Sequence, residues 1–290
     1  MRQVAYIVLF CLTLGQLQAQ GSFSPQAGET GSDAIPATSE LFRYWATDCQ
    51  IERGYKHYED KDAGLVGNGH VNYALGEPDA PLVLTLGDSG VAVVQFWGAV
   101  YNGDGADFAV FENGFGSGGS AFLELAFVEV SSDGEHFFRF PALTDLPPER
   151  VVGTFDHLDA SHFHNLAGKY ISGYGVPFDL DDIPDTSALD KGAVTHVRIV
   201  DVIGIADSTM GSYDSEGHLI RDPYPTNFEQ GGFDLDAIGV IHSTVPLMIQ
   251  EPNPIGFDSE KIHFDLLGRQ IPTQDPGILQ GNKGVITVYR

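Results

Sequence analysis

Two glutamates stand in apolar strand sequence on either side of a glycine-serine turn. Glu112 lies in "DFAVFENGF" and Glu124 lies in "AFLELAFVEV". Two carboxyl groups about 5–10 Å apart beside a sugar are the machinery of a glycoside hydrolase. A buried carboxylate can instead accept backbone N–H groups or bind a metal, because burial demands a partner. The apolar context favours the structural role over metal binding, and metal binding over catalysis.

Four aspartates fall near predicted strand ends, in loops rich in glycine and asparagine. Asp104 and Asp107 occur in "YNGDGADF", and Asp234 and Asp236 occur in "GGFDLDAIG". Calcium binds carboxylate and loop carbonyl oxygens of this kind. Together with the two glutamates, these aspartates are candidate calcium ligands, and calcium is the one cofactor predicted. Solvated loop acids are the alternative interpretation.

Three histidines are concentrated in "DHLDASHFHNLAGKY", at positions 157, 162 and 164. On a strand, His162 and His164 would share one face, which is a common geometry for holding a metal. His157 and its two neighbours could also grip a ligand that carries its own metal centre. The alternative is that all three are ordinary surface histidines.

Aromatic residues are dense in "YISGYGVPF" and "DPYPTNF". Their rings could stack on a sugar or on a flat macrocycle, or they could pack the loops against the domain. The candidate ligand-binding aromatics are Tyr170, Tyr174, Phe178, Tyr224 and Phe228.

"GDSG", from Gly87 to Gly90, superficially matches the nucleophile sequence of serine hydrolases. A serine protease of that type needs His and Asp partners in two β-barrels, and the esterases with a similar sequence are α/β proteins. The segment therefore predicts a hairpin turn rather than a nucleophile. No catalytic residue is assigned.

The net charge is −25, from 40 acidic and 15 basic residues. Phosphate backbones are bound by clusters of Lys and Arg, so the composition argues against nucleic acid as a partner.

The chain is expected to fall into four parts. Residues 1–19 have the positive start, apolar stretch and cleavage site of a signal peptide, and no transmembrane span is expected in the mature chain. Residues 20–40 predict a flexible leader, residues 41–244 one β-sandwich ligand-binding domain, and residues 245–290 a small β module. Cys49 would then be the only cysteine of the mature protein.

Short β-branched and aromatic segments bounded by Gly, Asp and Asn favour an all-β fold. We predict an antiparallel β-sandwich of the jelly-roll kind, with a hairpin turn at Asp133-Gly134 and the best helix signal in "SELFRYWATDC". Two long interruptions, at about residues 142–191 and 207–232, hold the histidines and most of the aromatic candidates. Long loops in compact domains are often functional, so these are expected to be ordered and to build a site.

The last forty-odd residues contain "PNP", "DLLGR" and a closing Gly284-Val285 strand. This segment resembles a shortened C-terminal sorting domain of the type IX secretion system of Bacteroidetes. The resemblance implies export to the outer-membrane surface or to the extracellular medium.

A second resemblance covers most of residues 74–242. "ALGEPDAP", "DFAVFENGF", "ELAFVEVSSDG", "NLAGKY" and "GGFDLDAIGVI" are similar to a family of bacterial cell-surface proteins, and "ALGEPDA" and "VEVSSDG" also resemble discoidin-like, galactose-binding jelly rolls. The family resemblance implies capture of a corrinoid of the cobalamin type, in association with a TonB-dependent outer-membrane transporter.

We therefore expect a secreted, non-enzymatic protein that captures a small-molecule or glycan ligand in its two long loops. Corrinoid capture is the first hypothesis, and a calcium-dependent carbohydrate-binding module is the second. A glycoside hydrolase using Glu112 and Glu124 is the third.

Overall fold

A computed structural model describes residues 21–207 and 209–244, together with the backbone of three strands beyond residue 260. The predicted signal peptide, residues 1–19, lies outside the described residues. The chain divides into two compact units, Met1–Val245 and Pro246–Arg290.

The first unit contains two six-stranded antiparallel sheets. In sheet order, the first consists of β1 (Ile35–Pro36), β15 (Tyr174–Phe178), β6 (Phe108–Glu112), β17 (Asp234–Val240) and β2 (Tyr44–Trp45), and β4 (Leu84–Thr85) also pairs with β17. The second consists of β10 (Phe138–Arg139), β9 (Ala126–Ser131), β16 (Val194–Asp201), β5 (Val91–Val100) and β3 (Asp48–Glu52), and β14 (Leu166–Ala167) also pairs with β9.

The insertion at about residues 142–191 contributes strands to two smaller sheets. One pairs β11 (Leu143–Thr144) with β13 (Phe163–His164), and the other joins β12 (Leu158–Asp159), β8 (Ser120–Phe122) and β7 (Phe115–Ser117). Four short 3-10 turns complete the described elements, at Lys61–Ala63, Val71–Ala74, Ala160–His162 and Leu180–Asp182.

The main core lies between the two large sheets. Val110 and Ile238 of the first sheet belong to the same buried cluster as Val94, Val128 and Ile199 of the second. The first sheet is also covered on its other side, where Phe111 packs with residues near the start of the domain. The predicted all-β sandwich is therefore confirmed.

The second sheet has a different environment on its two faces. Along β16, fully buried residues such as Val197 and Ile199 alternate with half-buried ones such as Arg198 and Val200. Alternate residues of a strand point to opposite faces, so one face of this sheet lines the core and the other faces outward.

The segment predicted to be a flexible leader is ordered from residue 21 onward. Ile35 of β1 pairs with Gly175 of β15, and the Phe23 N–H donates to the Ser161 carbonyl at 2.9 Å. Composition alone suggested disorder, but this segment covers the edge of the first sheet. Covering an edge satisfies backbone groups that would otherwise remain exposed.

The predicted helix in "SELFRYWATDC" is also replaced by strands. Tyr44–Trp45 forms β2 and Asp48–Glu52 forms β3, in different sheets. Aromatic and β-sheet packing overrides the weak helix signal, since Trp45 packs against Phe42 and Phe111.

In the second unit, β18 (Lys261–Asp265) pairs with both β19 (Gln270–Ile271) and β20 (Val285–Tyr289). The strand that ends at Asp265, the first residue of "DLLGR", is thus a neighbour of the predicted closing strand. Across the part of the chain that the structure describes, no helix is long and apolar enough to cross a membrane.

Candidate functional site

The strongest candidate site is a cleft of about 530 Å³ built from the long insertion and a short hairpin. Its rim includes Gly118 and Gly119, at the turn between β7 and β8. His157 and His162 line it from the insertion, together with Asp145 and Arg150. The volume lies in the range of about 300–1,000 Å³ that is usual for small-molecule sites.

One of the two histidines is held firmly in place. The Nδ1 atom of His162 lies 2.6 Å from the Oδ1 atom of Asp145. The other carboxylate oxygen of Asp145 accepts the Ser22 N–H at 2.8 Å. Because Nδ1 is engaged, Nε2 is the nitrogen that remains for a ligand, and the carboxylate fixes the orientation of the ring. Partial burial acts to raise the pKa of Asp145, but the hydrogen bonds from Ser22 and His162 outweigh it and lower that pKa.

The other histidine of the cleft is exposed and lies beside aromatic surface. The His157 ring meets the Phe115 ring edge-on, with centroids 6.1 Å apart. Phe115 is 60% exposed and stacks on Phe122 at 5.1 Å. The rim of the cleft therefore combines an imidazole with an apolar ring, although Phe115 was not among the predicted site residues.

The third predicted histidine lies in a different place. His164 lines a cavity of about 290 Å³ with Asp33, Lys169, Asp179 and Asp182. Burial lowers the pKa of His164, and it lowers that of Lys169 to about 8. The Lys169 ammonium donates to the Phe163 carbonyl at 2.7 Å. The three histidines therefore do not share one site, because a 3-10 turn at Ala160–His162 interrupts the predicted strand.

Most of the predicted ligand-binding aromatics pack the loops instead of facing a ligand. Tyr170 is almost fully buried, and its hydroxyl bonds to Asp33 and Ser24. Phe178 stacks on Phe108 in the core at 5.4 Å. Tyr224 is buried beside His57. These three positions are corrections to the sequence-based expectation, and they follow from the need to bury loop surface against the sandwich.

Two of the aromatic candidates remain nearer to solvent. Tyr174 is half-buried in β15, and Phe228 is 43% exposed. Phe228 stacks on Phe155 at 5.7 Å, and the Thr154 hydroxyl donates to the Pro225 carbonyl at 2.8 Å. The two long insertions therefore contact each other through partly exposed residues.

The two glutamates act as acceptors for backbone N–H groups. Glu112 accepts from Gly114 at 2.7 Å, and Glu124 accepts from Gly232 at 2.9 Å. Glu112 is the last residue of β6 in the first sheet, and Glu124 lies in the short connection between β8 and β9. The pKa of each is raised well above its usual value, first by burial and then by the charge of Asp234.

The aspartates proposed as calcium ligands are also hydrogen-bonded. Asp107 accepts from the Gly103 and Leu180 N–H groups and pairs with His242 at 2.7 Å. Asp234 accepts from the Thr85 hydroxyl and the Asn113 amide.

The two remaining aspartates differ in exposure. Asp236 is buried and accepts the Asp79 N–H at 2.9 Å, whereas Asp104 is exposed. Burial raises the pKa values of Asp234 and Asp236 to about 6. Among the described residues, no three acidic, histidine or cysteine side chains converge on a position for a metal ion.

The serine of the "GDSG" segment lies in a turn, as predicted. Ser89 has a φ of +64°, and its N–H donates to Asp201 at 3.0 Å. Gly90 closes the turn by donating to the Gly87 carbonyl at 2.7 Å. Cys49 is buried, and burial raises the pKa of its thiol to about 12, so the reactive thiolate form is disfavoured.

The chain matches no protein-family model, and no curated protein sequence matches it. Its function therefore has to be inferred from the geometry of the site.

Proposed function

We propose that this protein is a secreted, non-enzymatic surface protein that captures a ligand in the cleft containing His157 and His162. The observation that supports this proposal best is the Asp145–His162 pair at 2.6 Å on the wall of that cleft. A carboxylate that fixes one imidazole nitrogen leaves the other directed for coordination.

The ligand that suits this arrangement is a corrinoid of the cobalamin type. Its cobalt would be approached by Nε2 of His162, and its apolar ring edge would lie near Phe115 and His157. The cleft is too small to enclose a whole corrinoid, so part of the ligand would remain exposed. Partial exposure suits a protein that passes its ligand to a TonB-dependent outer-membrane transporter.

The residues available do not favour the hydrolase alternative. Glu112 and Glu124 are buried, and each already holds a glycine N–H. An acid–base pair for glycoside hydrolysis has to flank an open substrate site. The proposal therefore gives these glutamates a structural role, in which Glu112 holds the turn after β6 and Glu124 holds the segment before β17.

Visible absorption spectroscopy tests the proposal directly. We expect aquocobalamin to change its spectrum when mixed with the full chain, and calorimetry to report binding heat. His162→Ala should abolish the spectral change, whereas His164→Ala should retain it because His164 lies in the other cavity. An unchanged spectrum with no binding heat for the wild-type chain would refute corrinoid capture.

The carbohydrate alternative is examined with the same protein. A glycan array with and without calcium distinguishes carbohydrate binding from corrinoid capture. Calcium-dependent glycan binding without corrinoid binding would favour the carbohydrate-binding module. Removal of calcium with a chelator should leave the corrinoid spectrum unchanged if the cleft acts through His162 alone.

A further inference from the structure

The outward face of the second sheet contains a groove of about 570 Å³. Its floor includes the aliphatic residues Val91, Val93 and Val200, from the two central strands β5 and β16. This face is separate from the histidine cleft, since the two share no lining residue. We infer that the groove is a second binding site, and that it takes a neutral, extended oligosaccharide.

A row of charged side chains crosses the sheet beside this floor. Cross-strand pairing places Arg139, Glu129 and Arg198 side by side on three neighbouring strands. Oε1 of Glu129 accepts the Nε–H of Arg139 at 2.8 Å and lies 2.8 Å from its Nη2, and Oε2 makes the same two contacts with Arg198. One carboxylate therefore holds two guanidinium groups, one on each of its oxygens, through charge-assisted hydrogen bonds.

Aromatic rings fix the same guanidinium groups from a second side. Arg139 lies over the Phe127 ring and Arg198 lies over the Phe137 ring, each at 4.0 Å from the centroid. Among the described residues, neither Nη1 atom has a hydrogen-bond partner. Both arginines are partly exposed, so the unused N–H donors are available to a ligand and are already ordered. Ordering before binding reduces the entropy lost when a ligand is captured.

The charge of the groove identifies the chemical class of its ligand. Arg139 and Arg198 are balanced by Glu129 and Glu52, while the whole protein has a net charge of −25. A groove without net charge on so acidic a protein offers little attraction to a polyanion or to a cation. It does offer planar hydrogen-bonding groups next to an apolar floor. Sugar hydroxyls bind the planar groups, and the C–H face of a sugar ring packs on the apolar surface.

An exposed tryptophan extends this surface along the central strand. Trp97 lies four residues after Val93 on β5 and is 68% exposed, in the part of the strand where the pairing with β16 shifts register between Gln95 and Val100. Because the strand is irregular there, the separation of Val93 and Trp97 along β5 is at most roughly 13 Å. A ligand that meets both the groove and the indole ring is therefore an extended chain rather than a single sugar.

Calorimetry with neutral oligosaccharides of glucose, mannose, galactose and xylose tests the inference on the full chain. We expect at least one to bind, with little dependence on salt. Trp97→Ala and Gln50→Ala change exposed side chains of this face and should keep the fold. Trp97→Ala should weaken binding of the extended ligand by roughly tenfold or more, as expected for the loss of a stacking aromatic contact. Phe155→Ala, a matched change at an exposed loop aromatic, should leave the affinity unchanged.

The outcomes that would overturn the inference are distinct from those that concern the histidine cleft. Binding only of uronate or sulfated oligosaccharides would contradict the neutral ligand class. Glycan binding that survives Trp97→Ala and Gln50→Ala but is lost in His157→Ala would place the glycan in the cleft instead. Absence of binding to every neutral oligosaccharide would refute the site, while leaving corrinoid capture to its own spectroscopic test.

Discussion

Replacing Asp88 by asparagine should remove one part of the stability that this protein loses as pH rises, since other buried carboxyl groups with raised pKa values remain. Asp88 is 3% exposed, in the turn between β4 and β5, and its carboxylate accepts the Tyr58 N–H at 2.7 Å. Burial raises its pKa from 3.8 to about 6, although the Tyr58 N–H and the nearby His57 act in the opposite direction. The amide side chain of the Asp88→Asn variant would keep an acceptor for the Tyr58 N–H but would never ionise.

The sign and size of the effect follow from proton linkage. The folded protein holds the Asp88 proton to higher pH than the unfolded chain does, so stability falls as pH rises from about 4 through about 6. A shift from 3.8 to about 6, at about 1.4 kcal/mol per pKa unit, corresponds to about 3 kcal/mol once both states are ionised. Most of this loss falls between pH ~4 and pH ~8.

Urea unfolding followed by tryptophan fluorescence measures the difference. The quantity to compare is the free energy of unfolding of Asp88→Asn minus that of the wild type. This difference should be about 2–3 kcal/mol larger at pH 8 than at pH 4. In a thermal scan, this corresponds to a Tm difference of about 5–10 °C. Asp104→Asn, a change at an exposed acid, serves as the control and should show no such difference. A constant gap between wild type and Asp88→Asn at both pH values would refute the reasoning.

Two further substitutions test how the loops are held. Asp107→Ala removes the acceptor for the Gly103 and Leu180 N–H groups and the partner of a histidine, so it should cost about 3 kcal/mol or more in chemical denaturation. Asp104→Ala should cost no more than about 0.5 kcal/mol, and equal losses for the two would contradict the assignment. Tyr170→Phe removes the hydroxyl bonded to Asp33, so amide hydrogen exchange should become faster in residues 21–34 while the core strands stay protected.

The main sheets were predictable because their sequences are locally consistent. The segments "DFAVFENGF", "ELAFVEVSSDG" and "GGFDLDAIGVI" contain β6, β9 and β17, and the turn at Asp133-Gly134 connects β9 to β10. Apolar β-branched runs ended by Gly and Asp specify strands without help from distant residues. The leader at residues 21–40 was not predictable in this way, since its order depends on partners such as Ser161 and Gly175 far along the chain.

Long-range pairing also explains which parts of the candidate sites were missed. His157 and His162 could be identified as neighbours because they are close in the sequence, and they do line one cleft. The contact of Ser22 with Asp145 could not be predicted, because 123 residues separate the two. A segment that lacks periodicity gives no signal of where it docks.

The groove on the second sheet could not be predicted either, because it depends on strand pairing. Outward sheet faces of this kind are places to search for binding sites in other β-sandwiches. Arg139 and Arg198 have no distinctive sequence context, and only strand register places both against Glu129. An outward carboxylate between two arginines would normally be regarded as a surface ion pair of small energetic value. Here both guanidinium groups are also fixed over phenylalanine rings and border an apolar floor. This combination favours ligand recognition over a purely stabilising role. Stability alone would not require the aliphatic floor of the groove to stay exposed to solvent.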